Sequence, residues 1–196
     1  MRKAILLPLT VVLLSSFFIL GCKEKTAATA PDTRVDTAFM LTPDGLGELR
    51  MGLSVAEVEK VLGGKITLMN KDPEVWIDSA EIKYKEEPTT LFFDRRYKTD
   101  ETFDLVLGGL KTTSPKIKTR AGVGVGSDKE DIWEAYREGY DMNLYRDYED
   151  TTYTARSKTR SFIYVTTGEG DNSILFSLVN NKVTKLELNR NYDDEE

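Results

Sequence analysis

Histidine is missing from all 196 residues, and cysteine occurs once, at Cys22. The first absence removes the commonest general base and the commonest transition-metal ligand. With it goes every Ser-His or Cys-His arrangement for nucleophilic catalysis. The second absence excludes an internal disulfide. Basic residues are in deficit too, 27 against 33 acidic, for a formal net charge of −6. Such a chain repels phosphate backbones and offers no electrostatic footprint for nucleic acid. Nucleotide signatures are also lacking. The glycine-rich stretch "RAGVGVGSDKEDIWEAY" has Ser127 where a dinucleotide fingerprint needs its third glycine, and no Gly-Lys-Ser/Thr follows. It reads as a structural turn, in which Gly122 and Gly124 permit close backbone packing or a bulge. Among 33 acidic residues, any pair chosen for glycoside cleavage is noise. The segment "GEGDNS" at 168–173 lacks EF-hand spacing and reads as a hairpin turn rather than a calcium loop. No catalytic residue, metal or cofactor is expected.

What is present begins at the N-terminus. "MRK" is followed by an apolar run, Ala4–Leu20, that is broken by Pro8 and stops at Gly21-Cys22. These are signal-peptide proportions over residues 1–21. The run "ILGC" resembles the lipobox of bacterial lipoproteins, with Gly21 the small residue at the cut and Ile19 three places before the cysteine. The resemblance implies cleavage after Gly21 and lipidation of Cys22 with acyl chains such as palmitate. Lys23 is not the aspartate that marks inner-membrane retention, so the outer membrane is expected, facing the periplasm or the cell surface. Losing Arg2 and Lys3 with the leader makes the mature chain more acidic still. The lipid must therefore do the attaching, at about 0.8 kcal/mol per buried methylene.

Residues 22–42 have little apolar content and no periodicity, and read as a lipidated flexible tether. Order is expected from 43 onward. Ser54 with Glu57 forms a capping-box pair, Val55, Val58, Val61 and Leu62 recur at helical spacing, and Gly63-Gly64 closes the helix. A shift of 74 residues lays "VGSDKEDIWEAY" on "MGLSVAEVEKVL": Gly52 meets Gly126, Ser54 meets Asp128, Val58 meets Ile132 and Leu62 meets Tyr136. Ser127 with Glu130 offers a second possible cap one residue earlier. Alternation in "EIKYKE", "TTLFFD", "SFIYVTT", "ILFSLV" and "KVTKLEL" marks short half-buried strands. "TFDLVLGGLKTT" reads parallel to "ILFSLVNNKVTKLEL". In that alignment Phe103 answers Phe176, Leu105 answers Leu178, and Gly108-Gly109 answers Asn180-Asn181 as a two-residue hairpin turn. The expected fold is α+β, two tandem units at 43–115 and 116–190, each a short helix packed on an antiparallel sheet, with an acidic tail at 191–196.

The tandem unit "G-x-[ST]-x-x-[DE]-V-x-x-x-[LY]-G" followed by strands resembles the repeats of β-lactamase inhibitor protein. It is also similar to the single unit in the small lipoprotein subunit of the outer-membrane β-barrel assembly machine. The resemblance covers about residues 45 to 190 and departs at Arg137, where a glycine is expected. It implies a fold far more than an activity.

One stretch invites recognition. "AYREGYDMNLYRDYEDTTY" interleaves Tyr136, Tyr140, Tyr145, Tyr148 and Tyr153 with Arg137, Arg146, Asp147, Glu149 and Asp150. Tyrosine and arginine bury their bodies and hydrogen-bond with their tips, and both are enriched at binding hot spots. Tyr136 reads as core. Tyr145, Tyr148 and Tyr153, with Arg146 and Asp147, are the candidate partner-binding residues, set in a polar loop after the second helix. The expected function is a non-catalytic, lipid-anchored envelope protein that binds another envelope protein in an assembly or scaffold role. The alternative, implied by the inhibitor resemblance, is a block on an extracytoplasmic enzyme, with Asp147, Tyr148 and Glu149 as the plug.

Overall fold

Ser54 opens the first helix, α1 (Val55–Leu62), as the capping pair requires. The Ser54 N–H donates to Glu57 Oε2 at 2.8 Å, and the Glu57 N–H returns a bond to Ser54 Oγ at 3.4 Å. Gly63 ends it at φ +69°, where a residue without Cβ carries no steric penalty. The second helix, α2 (Lys129–Tyr136), is capped at Asp128, not Ser127. The Asp128 N–H donates to Asp131 Oδ2 at 2.9 Å, while Ser127 Oγ accepts the Gly124 N–H at 3.1 Å. Val58 and Ile132, one from each helix, are both fully buried.

The computed structural model describes residues 35–69, 76–99, 102–166 and 172–190. The expected signal peptide, Cys22, residues 22–34 of the expected tether, most of the "GEGDNS" segment and the acidic tail lie outside the described residues. The rest of the expected tether is corrected: order begins before residue 43, with a 3-10 turn at Thr37–Phe39 and a strand at Met40–Thr42, because Phe39 and the fully buried Leu41 supply apolar contacts to the core. Among the described residues no helix is long and apolar enough to cross a membrane.

Strands dominate. A small sheet comprises β1 (Met40–Thr42), β2 (Gly45–Leu46), β3 (Leu49–Arg50) and β7 (Lys118–Thr119), in the order β3-β2-β1-β7. A larger one holds β4 (Ile77–Tyr84), β5 (Glu87–Thr99), β6 (Thr102–Thr112), β8 (Asp141–Tyr148), β9 (Arg156–Thr166), β10 (Asn172–Val179) and β11 (Lys182–Arg190). Its order is β4-β5-β6-β11-β10-β9-β8, antiparallel throughout. The architecture is α+β in the loose sense, mostly sheet with two short helices.

Two expectations about the strands are corrected. Gly108-Gly109 is not a hairpin turn; it lies inside β6. A Cβ on Gly108 would fall 1.3 Å from Asp94 Oδ2, and one on Gly109 would sit 2.9 Å from the Leu188 carbonyl oxygen of the neighbouring strand, so a side chain and a backbone oxygen take the space the glycines leave. Within the large sheet, two-residue turns stand instead at Lys85-Glu86 and Asn180-Asn181, all four at positive φ. Nor does Phe103 answer Phe176 or Leu105 answer Leu178. Strand β6 pairs with β11 and not with β10, and it is β11 that occupies the matching place beside a helix cap.

The two faces of the large sheet differ. Leu91, Phe93, Leu107, Leu110, Ile163, Val165, Ile174, Phe176, Leu186 and Leu188 point to one side. There they join Val58, Ile132, Leu41, Leu46 and Leu49 in one core cluster. Leu175 and Val106 are also buried but stand outside that cluster, because they face the other way. Among the described residues, neither a helix nor the small sheet packs onto that second face.

Candidate functional site

Strand alternation decides which side chains the second face displays. From the register of β8, β9 and β10, Tyr145 lies opposite Phe162, Asn143 opposite Tyr164, and Thr166 opposite Ser173. Ile163 and Val165, one residue out of phase, enter the core. These six residues line an open depression of about 410 Å³. Tyr145 and Tyr164 meet edge to face at 5.7 Å, and the buried Leu175 is the cross-strand partner of Tyr164 on β10. Farther across the same face, Lys185 pairs with Glu187, and the Lys111 ammonium lies 5.5 Å from the Phe92 ring.

The lining consists of two tyrosines, a phenylalanine, an amide and two hydroxyls. These are groups that stack and hydrogen-bond. No group of acidic or sulfur ligands able to hold a metal occurs among the described residues.

The expected partner-binding residues fall only partly into this site. Tyr145, Arg146, Asp147 and Tyr148 do not lie in a polar loop; they form the end of β8, the edge strand. Helical spacing stops at Gly139, whose φ of +86° turns the chain, and the run "DMNLYR" then pairs residue by residue with β9. Polar side chains are accommodated there because an edge strand leaves them in water. Alternation sends Tyr145 to the open face and Arg146 to the helix side. Asp147 is occupied: its Oδ2 lies 3.1 Å from Arg160 Nε, and Glu149 approaches the same guanidinium at 3.9 Å. Asp147 and Glu149 thus share one cation within the chain, at a partly exposed site where such pairs contribute little.

Only residues 149–155 turn. Their tip carries Tyr153, 72% exposed and at φ +57°, with Tyr148 edge-on at 5.2 Å and the Arg156 cation 5.7 Å from the Tyr148 ring. Asp150 holds the turn by accepting the Thr154 N–H and hydroxyl at 3.1 and 2.7 Å, and these bonds hold its carboxyl below the usual range. Tyr136 is buried as expected, and desolvation pushes its phenol up to about 12.

Phe162 and Tyr164 were missed by motif reading. The signal was available in "SFIYVTT", where the aromatics Phe162 and Tyr164 take the nominally wet positions that alternate with Ile163 and Val165. A second exposed aromatic cluster was missed as well. Trp76, 67% exposed, meets Tyr97 at 5.8 Å, Tyr97 meets Phe103 at 6.0 Å, and the Arg95 guanidinium lies 4.5 Å from the Phe103 ring.

The glycine-rich stretch is structural, as its sequence suggests. The Gly122 N–H donates to Thr119 O at 2.8 Å, the Gly124 N–H to Ser127 Oγ at 3.1 Å, and the Gly126 N–H to Val183 O at 2.8 Å. A Cβ on Gly124 would stand 2.8 Å from Ile117 O, which explains the close approach of the chain. Amides committed in this way cannot cradle a phosphate. Comparison with protein families, with curated proteins and with solved structures returns no match to this chain.

Proposed function

We propose that the chain is a non-catalytic, lipid-anchored envelope protein that binds another envelope protein through the open face of its large sheet. The observation that carries this reading is the depression bounded by Tyr145, Phe162 and Tyr164 on a face that no other described element covers. Aromatic groups held half in water by a rigid sheet are the residues from which protein interfaces draw most of their energy. Attachment through lipid on Cys22 at the outer membrane supplies the location. The inhibitor alternative, with Asp147, Tyr148 and Glu149 as its plug, is less favoured, because both acids already lie beside Arg160.

The same proposal reads the chain as two tandem helix-plus-sheet units, 43–115 and 116–190. It is supported by the order α1-β4-β5-β6 followed by α2-β8-β9-β10-β11, with each helix cap bridged to the last strand of its own set: Ser54 to Val106 and Asp128 to Lys182. Likeness to the repeats of β-lactamase inhibitor protein stays part of this reading.

The test is purification of the lipidated chain from membranes, with a Cys22→Ser variant beside it. A stoichiometric protein companion and fatty-acid label that vanishes in Cys22→Ser are expected. Label persisting on the serine variant removes the anchor from the reading, and recovery of the chain without a companion removes the docking role.

A further inference from the structure

The two edges of the large sheet are not alike. Edge strand β4 is partly closed, since the Met69 N–H donates to Ser79 O at 2.8 Å. Edge strand β8 pairs with β9 on its inner side, and among the described residues no backbone group bonds along its outer side. It runs for eight residues without proline, and Asn143, Leu144, Tyr145 and Arg146 are all exposed. Only its last residue, Tyr148, has both backbone groups taken by side chains, those of Asp147 and Arg160; the outward N–H and C=O groups before it are a template for another strand. The edge also borders the depression, because Asn143 and Tyr145 belong to both.

Charge says which strand fits. Arg146 projects to the helix side of β8, and no described carboxylate pairs with it although the chain is acidic. A strand that extends the sheet with its faces aligned sets side chains of like face opposite one another. A second copy of β8, centred on Leu144 or on Tyr145, would put Met142 or Leu144 opposite Arg146 and set Asp141 against Asp147 or Glu149. It supplies no acid to Arg146 and adds like-charge contacts. A different polypeptide is under no such constraint.

We propose that β8 is completed by an extended strand of another protein. That strand carries an acidic side chain beside Arg146 and, on its other face, apolar side chains that continue the surface of Tyr145 and enter the depression. This rests on the docking role of the open face and adds its mode: main-chain pairing gives affinity and alternate side chains give specificity.

The test uses the full lipidated chain in the cell envelope, with p-benzoylphenylalanine replacing Leu144 on the edge, Tyr164 on the open face or Lys83 on β4. The expected result is cross-linking from Leu144 and Tyr164 to one and the same other protein, with none from Lys83. The adduct from Leu144 falls in an alternating segment with an aspartate or glutamate within two residues. Arg146→Glu lowers that adduct at least about fivefold, as expected when an opposite-charge cross-strand pair becomes a like-charge one, whereas Arg146→Lys retains it. Adducts from Tyr164 alone overturn the edge inference and leave the docking face standing. Adducts from neither position overturn both. Adducts of Leu144 with a second copy of the chain, or a yield indifferent to Arg146→Glu, also overturn the inference.

Discussion

Gly52 and Gly126 hold the same post in two parts of the chain. The Gly52 N–H donates to Leu107 O at 2.7 Å, and the Leu107 N–H bonds back to Leu53 O at 2.8 Å. The Gly126 N–H donates to Val183 O at 2.8 Å, and the Val183 N–H bonds back to Ser127 O at 2.9 Å. Both glycines have positive φ, +84° and +92°, so each helix is entered through a left-handed residue clipped to a strand of the large sheet. Both are also open around the missing Cβ, with nothing within 4 Å.

Because space is open at both sites, alanine there meets only the backbone preference. Gly52→Ala and Gly126→Ala should each destabilise the fold by about 1 to 2 kcal/mol. Urea unfolding measures it. A neutral result at either position would mean that the clip relaxes and the left-handed entry is dispensable there.

Much of this frame was legible in the sequence, and the reasons are local. Capping pairs, the buried positions Val58 and Ile132, and the glycines before each helix follow from short-range sterics and hydrogen bonding, so a 74-residue shift brings them together. The strand correspondence was not legible. Gly108 and Gly109 look like a turn to any local rule, and only the cross-strand neighbours Asp94 and Leu188 reveal why glycine is needed mid-strand. The site was half legible for the same reason. Tyr145 stood out by composition, but its partners Phe162 and Tyr164 come from β9, and pairing across strands is a tertiary fact.

Tyr136 predicts behaviour in alkali. Burial raises its phenol from 10.0 to about 12, so the folded state holds the proton more tightly than the unfolded state does. The stability linked to that proton is fully present below pH 10 and is lost as pH rises from 10 through 12, on the order of 2 to 3 kcal/mol in all. Denaturant titrations between pH 9 and 12 should show this decline in the parent chain and a flatter profile in Tyr136→Phe. Equal slopes would show that the phenol ionises in the folded protein at its ordinary value.

Glu87 predicts behaviour in acid. Its carboxylate accepts Lys116 Nζ at 2.5 Å and Ser114 Oγ at 2.5 Å, tying the segment after β6 to the start of β5. The lysine contact first, and then the serine hydroxyl, holds its carboxyl below the ordinary 4.5. A depressed carboxylate contributes above the unfolded-state value and loses its contribution as pH falls through the folded-state one. The loss therefore lies below about pH 4.3. Melting temperature should fall there in the parent and fall less in Glu87→Gln, which should already melt lower at pH 7. The reverse order of sensitivity would remove Glu87 from the acid transition.

The open face and the tyrosine tip make separable predictions about recognition. Tyr145 is 52% exposed and Tyr153 72% exposed, so alanine at either should change stability by only about 0.5 kcal/mol. Tyr164 is half-buried against Tyr145, and its removal should cost somewhat more while leaving the fold intact. If the depression is the docking site, Tyr145→Ala with Tyr164→Ala weakens partner binding by about 2 kcal/mol or more, roughly thirtyfold. Tyr153→Ala, on the turn beyond the sheet, then leaves binding within about threefold. Thermal melts with pull-downs from solubilised membranes compare the two. Should Tyr153→Ala carry the loss instead, the anchor is the left-handed tyrosine held out by the Asp150–Thr154 turn, and the sheet face is only its support.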